Sequence, residues 1–350
     1  MENLPAELAD LLPQGPKRPL SVVLASPQGA VVEANELRTI TVCFNQPMVP
    51  LRPVGSDDAV PPIQIEPKLD GRFRWKGTAT LQFESKQPLP FGTKYKVTVP
   101  KGAKSWSGQE LAQEYSFEFT TATAELQTSL PVHKNESVRH DQPFFLHFNQ
   151  PMDAPSSASF IKLESGGKEI PLEIRAQKLE DIKTQIELSS TESYPVNGGT
   201  SFNGSLLTPK NGPVDPKILV VVPKQPLPAG SVCNLTIKSG LKGAVGQVGT
   251  PKDHLVSFKT YGPLALSDSG KVLDQNPEDG LYLRFNNPVS GAQLAKSIKI
   301  SPTVEIGESL AHSEDPSESW YVASGLKPNT EYTVTVGADL TDRYGQKLGK

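Results

Sequence analysis

The pentapeptide Phe44-Asn45-Gln46-Pro47-Met48 returns almost unchanged as Phe148-Asn149-Gln150-Pro151-Met152, and a looser third copy stands at Phe285-Asn286-Asn287-Pro288-Val289. A unit written three times restricts the fold more than any property of the whole chain. Each copy closes a run in which apolar residues alternate with variable ones: Ile40, Val42, Phe44; Phe144, Leu146, Phe148; Leu281, Leu283, Phe285. That is the period of a strand with one face buried. Proline lacks an N–H for the ladder and drives the residue before it toward extended geometry, so each strand is expected to stop where its proline appears and run out into a turn.

A second signature follows at a matching place in every copy. Leu89-Pro90-Phe91-Gly92-Thr93-Lys94-Tyr95-Lys96-Val97-Thr98-Val99 corresponds to Leu227-Pro228-Ala229-Gly230-Ser231-Val232-Cys233-Asn234-Leu235-Thr236-Ile237 and to Leu326-Lys327-Pro328-Asn329-Thr330-Glu331-Tyr332-Thr333-Val334-Thr335-Val336. Proline fixes φ early in the turn, Gly or Asn supplies a left-handed residue, and the chain reverses into another alternating strand. With 33 prolines and 28 glycines in 350 residues and no long helical pattern, the class is all-β. The repeat divides the chain into three tandem immunoglobulin-like β-sandwich domains, the last incomplete.

The expected organisation is a lead-in over residues 1–18, a first sandwich over 19–123, a second over 124–262 and a third over 263–350. The first sandwich holds about seven strands, among them Ile63-Gln64-Ile65-Glu66-Pro67, Arg72-Phe73-Arg74-Trp75, Leu81-Gln82-Phe83 and a closing Tyr115 to Thr121. The second carries an insertion over about 165–216, much of it in the polar tract Thr191 to Pro216, which reads as a long surface excursion open to either a functional or a disordered role. In the third, Ile298-Lys299-Ile300-Ser301-Pro302 matches the first unit's Ile63 strand, and Ser290 to Lys296 can form a short helix. No counterpart of the closing strand follows Val336, so the chain is expected to be cut from a longer protein just short of a domain boundary.

Charge and cysteine content remove several classes of function. A net charge of −3 from 35 basic and 38 acidic residues spread along the chain offers no footprint for nucleic acid. The longest apolar run, Ile218 to Val222, falls far short of the ~20 residues of a membrane helix. Cys43 lies on the variable face of its strand and Cys233 takes the inward place of Tyr95 and Tyr332, so the two are not expected to pair. The N-terminus has neither a basic nor an apolar leader region, leaving a cytoplasmic protein or one trimmed of its export signal; the domain type favours the latter.

The repeated strand into Phe-Asn-Gln-Pro-Met, the Ile-x-Ile-x-Pro step, the Leu-Pro-x-Gly-Thr-x-Tyr turn and the closing Phe-x-Phe-Thr together resemble bacterial Ig-like domains found in tandem in cell-surface proteins. The first copy, with Gly71-Arg72-Phe73-Arg74-Trp75-Lys76-Gly77-Thr78 before Leu81-Gln82-Phe83-Glu84, is similar to the N-terminal region of bacterial alpha-2-macroglobulins. The resemblance implies a periplasmic or cell-envelope protein that inhibits proteinases by trapping them after cleavage of a bait segment, in many members with a Cys-x-Glu-Gln thioester. Cys43-Phe44-Asn45-Gln46 has Asn where Glu is required, and Cys233-Asn234-Leu235-Thr236 departs further. The resemblance therefore implies a non-catalytic scaffold whose partners are the remaining domains of its parent protein, with proteinases met only through the whole. A stalk of a surface adhesin or S-layer-type protein, or an accessory module of a secreted enzyme, are the alternatives.

Few residues invite chemistry. His133, His140 and His147 recur at sevens, but a strand's side-chain period is two, so they read as scattered surface histidines. The acidic loop Asp268, Asp274, Glu278 and Asp279 lacks the ordered oxygen spacing of a calcium loop. Glu180-Asp181 and Asp57-Asp58 read as solvated loop charges, and there is no nucleophile elbow, zinc-protease helix or phosphate-cradling loop. No catalytic residue, cofactor or metal is assigned. The one binding lead is Phe73 and Trp75 flanked by Arg72 and Arg74, with Trp106 in a loop, a composition common in interface anchors. Core packing of Phe73 and Trp75 is the plainer account.

Overall fold

The structure is a computed structural model that describes residues 18–30, 38–50, 61–191, 214–267 and 280–349. The chain divides into two compact units, the first comprising residues 1–125, 150–152 and 239–252 and the second the remainder.

In unit 1, the alternating runs form β1 (Val22–Ser26), β2 (Gly29–Ala30), β3 (Thr39–Phe44), β4 (Gln64–Glu66), β5 (Gly71–Lys76), β6 (Thr80–Ser85), β7 (Lys94–Val99) and β8 (Tyr115–Thr120). That is one strand more than the seven expected, the addition being the two-residue β2, which pairs parallel to β8. Two four-stranded sheets result, in the orders β1-β3-β6-β5 and β2-β8-β7-β4. Ile40, Val42 and Phe44 of β3 and Leu81 and Phe83 of β6 share one buried cluster with Tyr95, Val97 and Val99 of β7 and Phe117 and Phe119 of β8. One alternate face of each sheet therefore supplies the core, as the sequence period requires. Segment 239–252 belongs to this unit too: Gln247 and Val248 donate their N–H groups to the carbonyl of Gly92, each at 2.8 Å.

Unit 2 begins with β9 (Leu126–Leu130), β10 (Phe144–Phe148), α1 (Ala154–Ser157), β11 (Ile161–Ser165), β12 (Lys168–Ile170), β13 (Leu172–Ala176), α2 (Leu179–Thr191), β14 (Ile218–Pro223), β15 (Val232–Ile237) and β16 (His254–Lys259). The sheets run β13-β14-β10-β9 and β12-β11-β15-β16. Phe144 of the first meets Phe258 of the second edge-on, ring centroids 5.2 Å apart, so the core lies between them. The expected surface excursion is corrected here. Residues 168–191 form β12, β13 and the 13-residue α2, and β13 pairs along its length with β14. Residues 192–213, most of the polar tract, lie outside the described residues.

Helix α2 covers the far side of its sheet. Leu188 packs with Leu130 and with Phe145, Ile218 and Val220, residues of β9, β10 and β14 that point away from the inter-sheet core. Strands β10 and β14 are thus buried on both faces, which is why their sequences, Phe144-Phe145-Leu146 and Ile218 to Val222, are apolar without interruption.

The rest of unit 2 holds β17 (Leu281–Ser290), α3 (Gly291–Ser297), β18 (Ile298–Ser301), α4 (Glu308–His312), β19 (Pro316–Ala323) and β20 (Thr333–Val336). Among the described residues these strands form two pairs, β17 with β19 and β18 with β20. The third copy overturns the rule that strands stop at the motif's proline. Strand β17 runs through Asn286, Asn287 and Pro288, because its register shifts between Arg284 and Val289. Pro288 sits in that irregularity, where no ladder donor is needed, and the indole N–H of Trp320 donates to the Val289 carbonyl at 3.0 Å. Ser290 caps α3 with its side chain, as expected for the short helix there.

Candidate functional site

Strand β5 turns Phe73 and Trp75 toward the core of unit 1, where Phe73 packs on Phe83 and Trp75 on Phe44 at centroid distances of 5.0 and 6.3 Å. Arg72 and Arg74 take the alternate positions. Both reach Glu84 of β6, at 3.0 and 3.9 Å. Trp106 lies in the turns between β7 and β8, 56% exposed, with its backbone N–H donating to Pro47. The aromatic pair thus works inward and the arginines outward, with Trp106 on a separate loop.

The three histidines have three separate tasks: His133 is exposed, and His140 and His147 are half-buried. His133 Nδ1 accepts from the Ser257 N–H, and His140 Nε2 lies 2.8 Å from the Tyr261 carbonyl oxygen. His147 stands on the α2 side of β10, 3.6 Å from Asp215. Burial lowers its pKa against the pull of that carboxylate. Among the described residues no group of three or more His, Cys, Asp or Glu side chains converges on a metal position. Asp268, Asp274, Glu278, Asp279 and the pair Asp57-Asp58 lie outside the described residues.

Asp181 is the clearest departure from the sequence reading. Its side chain is only 6% exposed and takes two hydrogen bonds from Arg175, at 2.5 and 2.7 Å, plus one from the Lys178 N–H at 2.7 Å. Only Glu180 is the solvated charge expected of the pair. Beside it, Gln177 donates to Gln185 and accepts from the Asp215 N–H. A buried polar network therefore fixes the start of α2 to β13 and to the chain entering β14.

The motif residues prove to be fasteners. Asn45 Oδ1 accepts from the Ser21 N–H at 2.9 Å while its Nδ2 donates to Pro19, so one side chain ties the end of β3 to the segment that enters the sandwich. Asn286 repeats the arrangement on Ala265 and Pro263, at 2.7 and 2.9 Å. The neighbouring Asn287 adds a bond to the Gly262 carbonyl and another to Asp342. Nearby, the Tyr261 and Tyr344 rings meet at a tilt, centroids 4.8 Å apart, with Arg139 over the Tyr344 ring, and burial pushes the Tyr344 hydroxyl far above its ordinary pKa.

The second signature and the closing strand are two halves of one latch. Gly92, Gly230 and Asn329 all have positive φ, of 55°, 60° and 51°. Thr121 donates to the Pro90 carbonyl at 2.6 Å and accepts from the Thr93 N–H at 2.9 Å; Thr260 does the same with Pro228 and Ser231, at 2.6 and 3.0 Å. Both threonines are 1% exposed. Replacing either by valine keeps the shape and strands a buried carbonyl and N–H, so Thr121→Val and Thr260→Val should each cost about 1–3 kcal/mol, read from urea unfolding. A loss within about 0.5 kcal/mol for both would show that the hydroxyls hold nothing.

Residues 16–121 and 271–350 match the family model of the bacterial Ig-like domain. An alpha-2-macroglobulin homologue from Nostoc sp. is 26% identical over 367 aligned positions, which cover 100% of this chain and 18% of that protein. A Dictyostelium discoideum protein described as circularly permutated Ras protein 2 is 21% identical across 88% of this chain and 8% of its own length. The chain thus spans a small part of each of these relatives. Among solved structures, titin domains cover 95% of both chains at 9% identity and a TM-score of 0.31. Native alpha-2-macroglobulin domains from Escherichia coli cover 95% of this chain and 96% of theirs at 12% identity and a TM-score of 0.23. More than half of the sequence matches one family model. The chain belongs to the bacterial Ig-like domain family.

Proposed function

We propose that the chain is a non-catalytic scaffold within a bacterial alpha-2-macroglobulin-like protein of the periplasm or cell envelope, a protein that inhibits proteinases by trapping them. The observation that carries this reading is the similarity to the Nostoc alpha-2-macroglobulin homologue along the whole chain. The engagement of the repeated motifs in linker clamps and turn latches supports a spacing and positioning role. Its partners are the other domains of the parent protein, and a proteinase meets this region only through the whole molecule. It needs no cofactor and binds neither nucleic acid nor membrane; no helix among the described residues is long and apolar enough to cross a bilayer.

Trypsin assayed on casein and on a small chromogenic peptide tests the reading, because a trapped proteinase loses access to large substrates and keeps small ones. The 350-residue chain in molar excess should change neither rate. The parent protein should slow casein hydrolysis alone. Selective protection of casein by the isolated chain would overturn the scaffold role, and a parent protein that protects nothing would overturn the trapping role.

A further inference from the structure

Within unit 2 the chain passes from the second sandwich into the third copy without slack. The last residue tied to the second sandwich is Tyr261, whose N–H donates to the Val138 carbonyl at 3.0 Å and whose carbonyl accepts from the Gly230 N–H at 2.8 Å. The next residue is already held from the other side. Asn287 of β17 donates to the Gly262 carbonyl, and Asn286 donates to the Pro263 carbonyl and accepts from the Ala265 N–H. Modules joined in one chain move on one another by default. Here no residue separates the groups held by one module from those held by the next.

Side chains cross at the same place. After its signature strand each copy makes a hairpin whose tip donates one N–H to the carbonyl of the motif's proline: Trp106 to Pro47, Ala244 to Pro151 and Arg343 to Pro288. Two residues later comes a glycine of positive φ, Gly108, Gly246 or Gly345. The fold thus requires the hairpin but leaves its tip free to vary, as Trp106-Ser107, Ala244-Val245 and Arg343-Tyr344. In the third copy the tip reaches the second sandwich. Tyr344 meets the Tyr261 ring at 4.8 Å under the Arg139 guanidinium, 5.8 Å from its centroid, and Arg343 pairs with Glu187 of α2 at 3.2 Å. Asp342 shapes the tip by accepting from the Tyr344 and Gln346 N–H groups, and it also accepts from Asn287. Hairpin, motif and linker are therefore one hydrogen-bonded chain.

We propose that the Arg343-Tyr344 hairpin fixes the third copy on the second sandwich, with α2 as its bracket, so that the two move as one body. The insertion then has a task beyond covering its own sheet. Leu188 seals β10 and β14, and the residue before it, Glu187, takes the neighbour's arginine. An exposed ion pair holds little by itself. Tyr344, half-buried against Tyr261 and Arg139, therefore carries the hold, and Arg343 sets its direction. The fixed joint stands whether or not the parent protein traps proteinases.

The test is the distance between spin labels at Lys168→Cys on β12 and Lys299→Cys on β18, both exposed positions, in the 350-residue chain carrying Cys43→Ser. Cys233, at 0% exposure, takes no label. Pulsed double electron-electron resonance should give one narrow distance, and Tyr344→Ala should widen the distribution about twofold. Arg343→Glu should widen it too, by setting a second carboxylate against Glu187, and Glu187→Arg added to that variant should narrow it again. A wild-type distribution as wide as that of Tyr344→Ala would overturn the fixed joint, and a Tyr344→Ala distribution as narrow as wild type would overturn the role of the hairpin. Should Tyr344→Ala fail to fold, the charge pair decides: an unchanged width in Arg343→Glu, or a reversed pair that stays wide, would remove α2 as the bracket.

Discussion

Phe144→Ala and Phe145→Ala should each destabilise unit 2 by about 3–5 kcal/mol, the range for emptying a buried phenylalanine site. In an ordinary sandwich strand, neighbouring side chains point to opposite faces and only one of them is costly to truncate. Here both are fully buried, at 0% exposure, by different elements. Phe144 packs on Phe258 across the inter-sheet core, whereas Phe145 lies with Leu188, Ile218 and Val220 under α2. Urea denaturation of the two variants separates the cases. A loss below about 1 kcal/mol for Phe145→Ala, with Phe144→Ala severe, would mean that α2 does not seal the outer face in solution.

The same strands show how far the sequence could be read. Alternation located every strand of unit 1 but the two-residue β2, and the signature strands of all three copies, since a period of two survives in their residues. Helix α2 escaped for a physical reason. The face it buries carries Asp181 and Gln185 as well as Leu188, so the apolar spacing of a surface helix is broken by polar groups whose partners lie elsewhere in the chain. The trace of the helix was on its neighbours. An uninterrupted Phe144-Phe145-Leu146 and an apolar run from Ile218 to Val222 require cover on both faces, and such cover has to come from an additional layer.

The motifs were legible as repeats and silent about their work. Asn45 binds residues 24 and 26 positions earlier, and Thr121 binds residues 28 and 31 positions earlier. A local pattern cannot name partners at that distance. It also could not separate Pro288 from Pro47 and Pro151, because what lets β17 continue is the register shift opposite β19 and the Trp320 indole on Val289. The arginine-aromatic strand was ambiguous in the same way: alternation put Phe73 and Trp75 on one face and Arg72 and Arg74 on the other, and only the fold shows that Glu84 holds both arginines.

Asp181→Ala should cost about 3 kcal/mol at neutral pH, at the lower end of the range for breaking a buried pair because Arg175 keeps 20% of its side chain exposed. The guanidinium would be left beside a polar network with no carboxylate to answer it, while Asp181→Asn should lose less by keeping an acceptor for the Lys178 N–H. The pH dependence gives the sharper test. Burial raises the Asp181 pKa, but the hydrogen bonds from Arg175 and Lys178 outweigh it and hold the carboxyl below its ordinary value of 3.8. A carboxyl lowered on folding contributes stability that is fully present above the unfolded value and is lost as pH falls through the folded one. His147 acts in a separate window: its pKa is lowered from 6.5, so the unfolded chain takes up that proton first and stability declines as pH drops below 6.5. Both proteins contain His147, so its contribution cancels in their difference. The gap between wild type and Asp181→Ala should therefore stay level from neutral pH down to about 5 and close only in stronger acid. A gap that is small throughout, or one already closing near pH 6.5, would show that the Arg175 pair does not hold α2 in place.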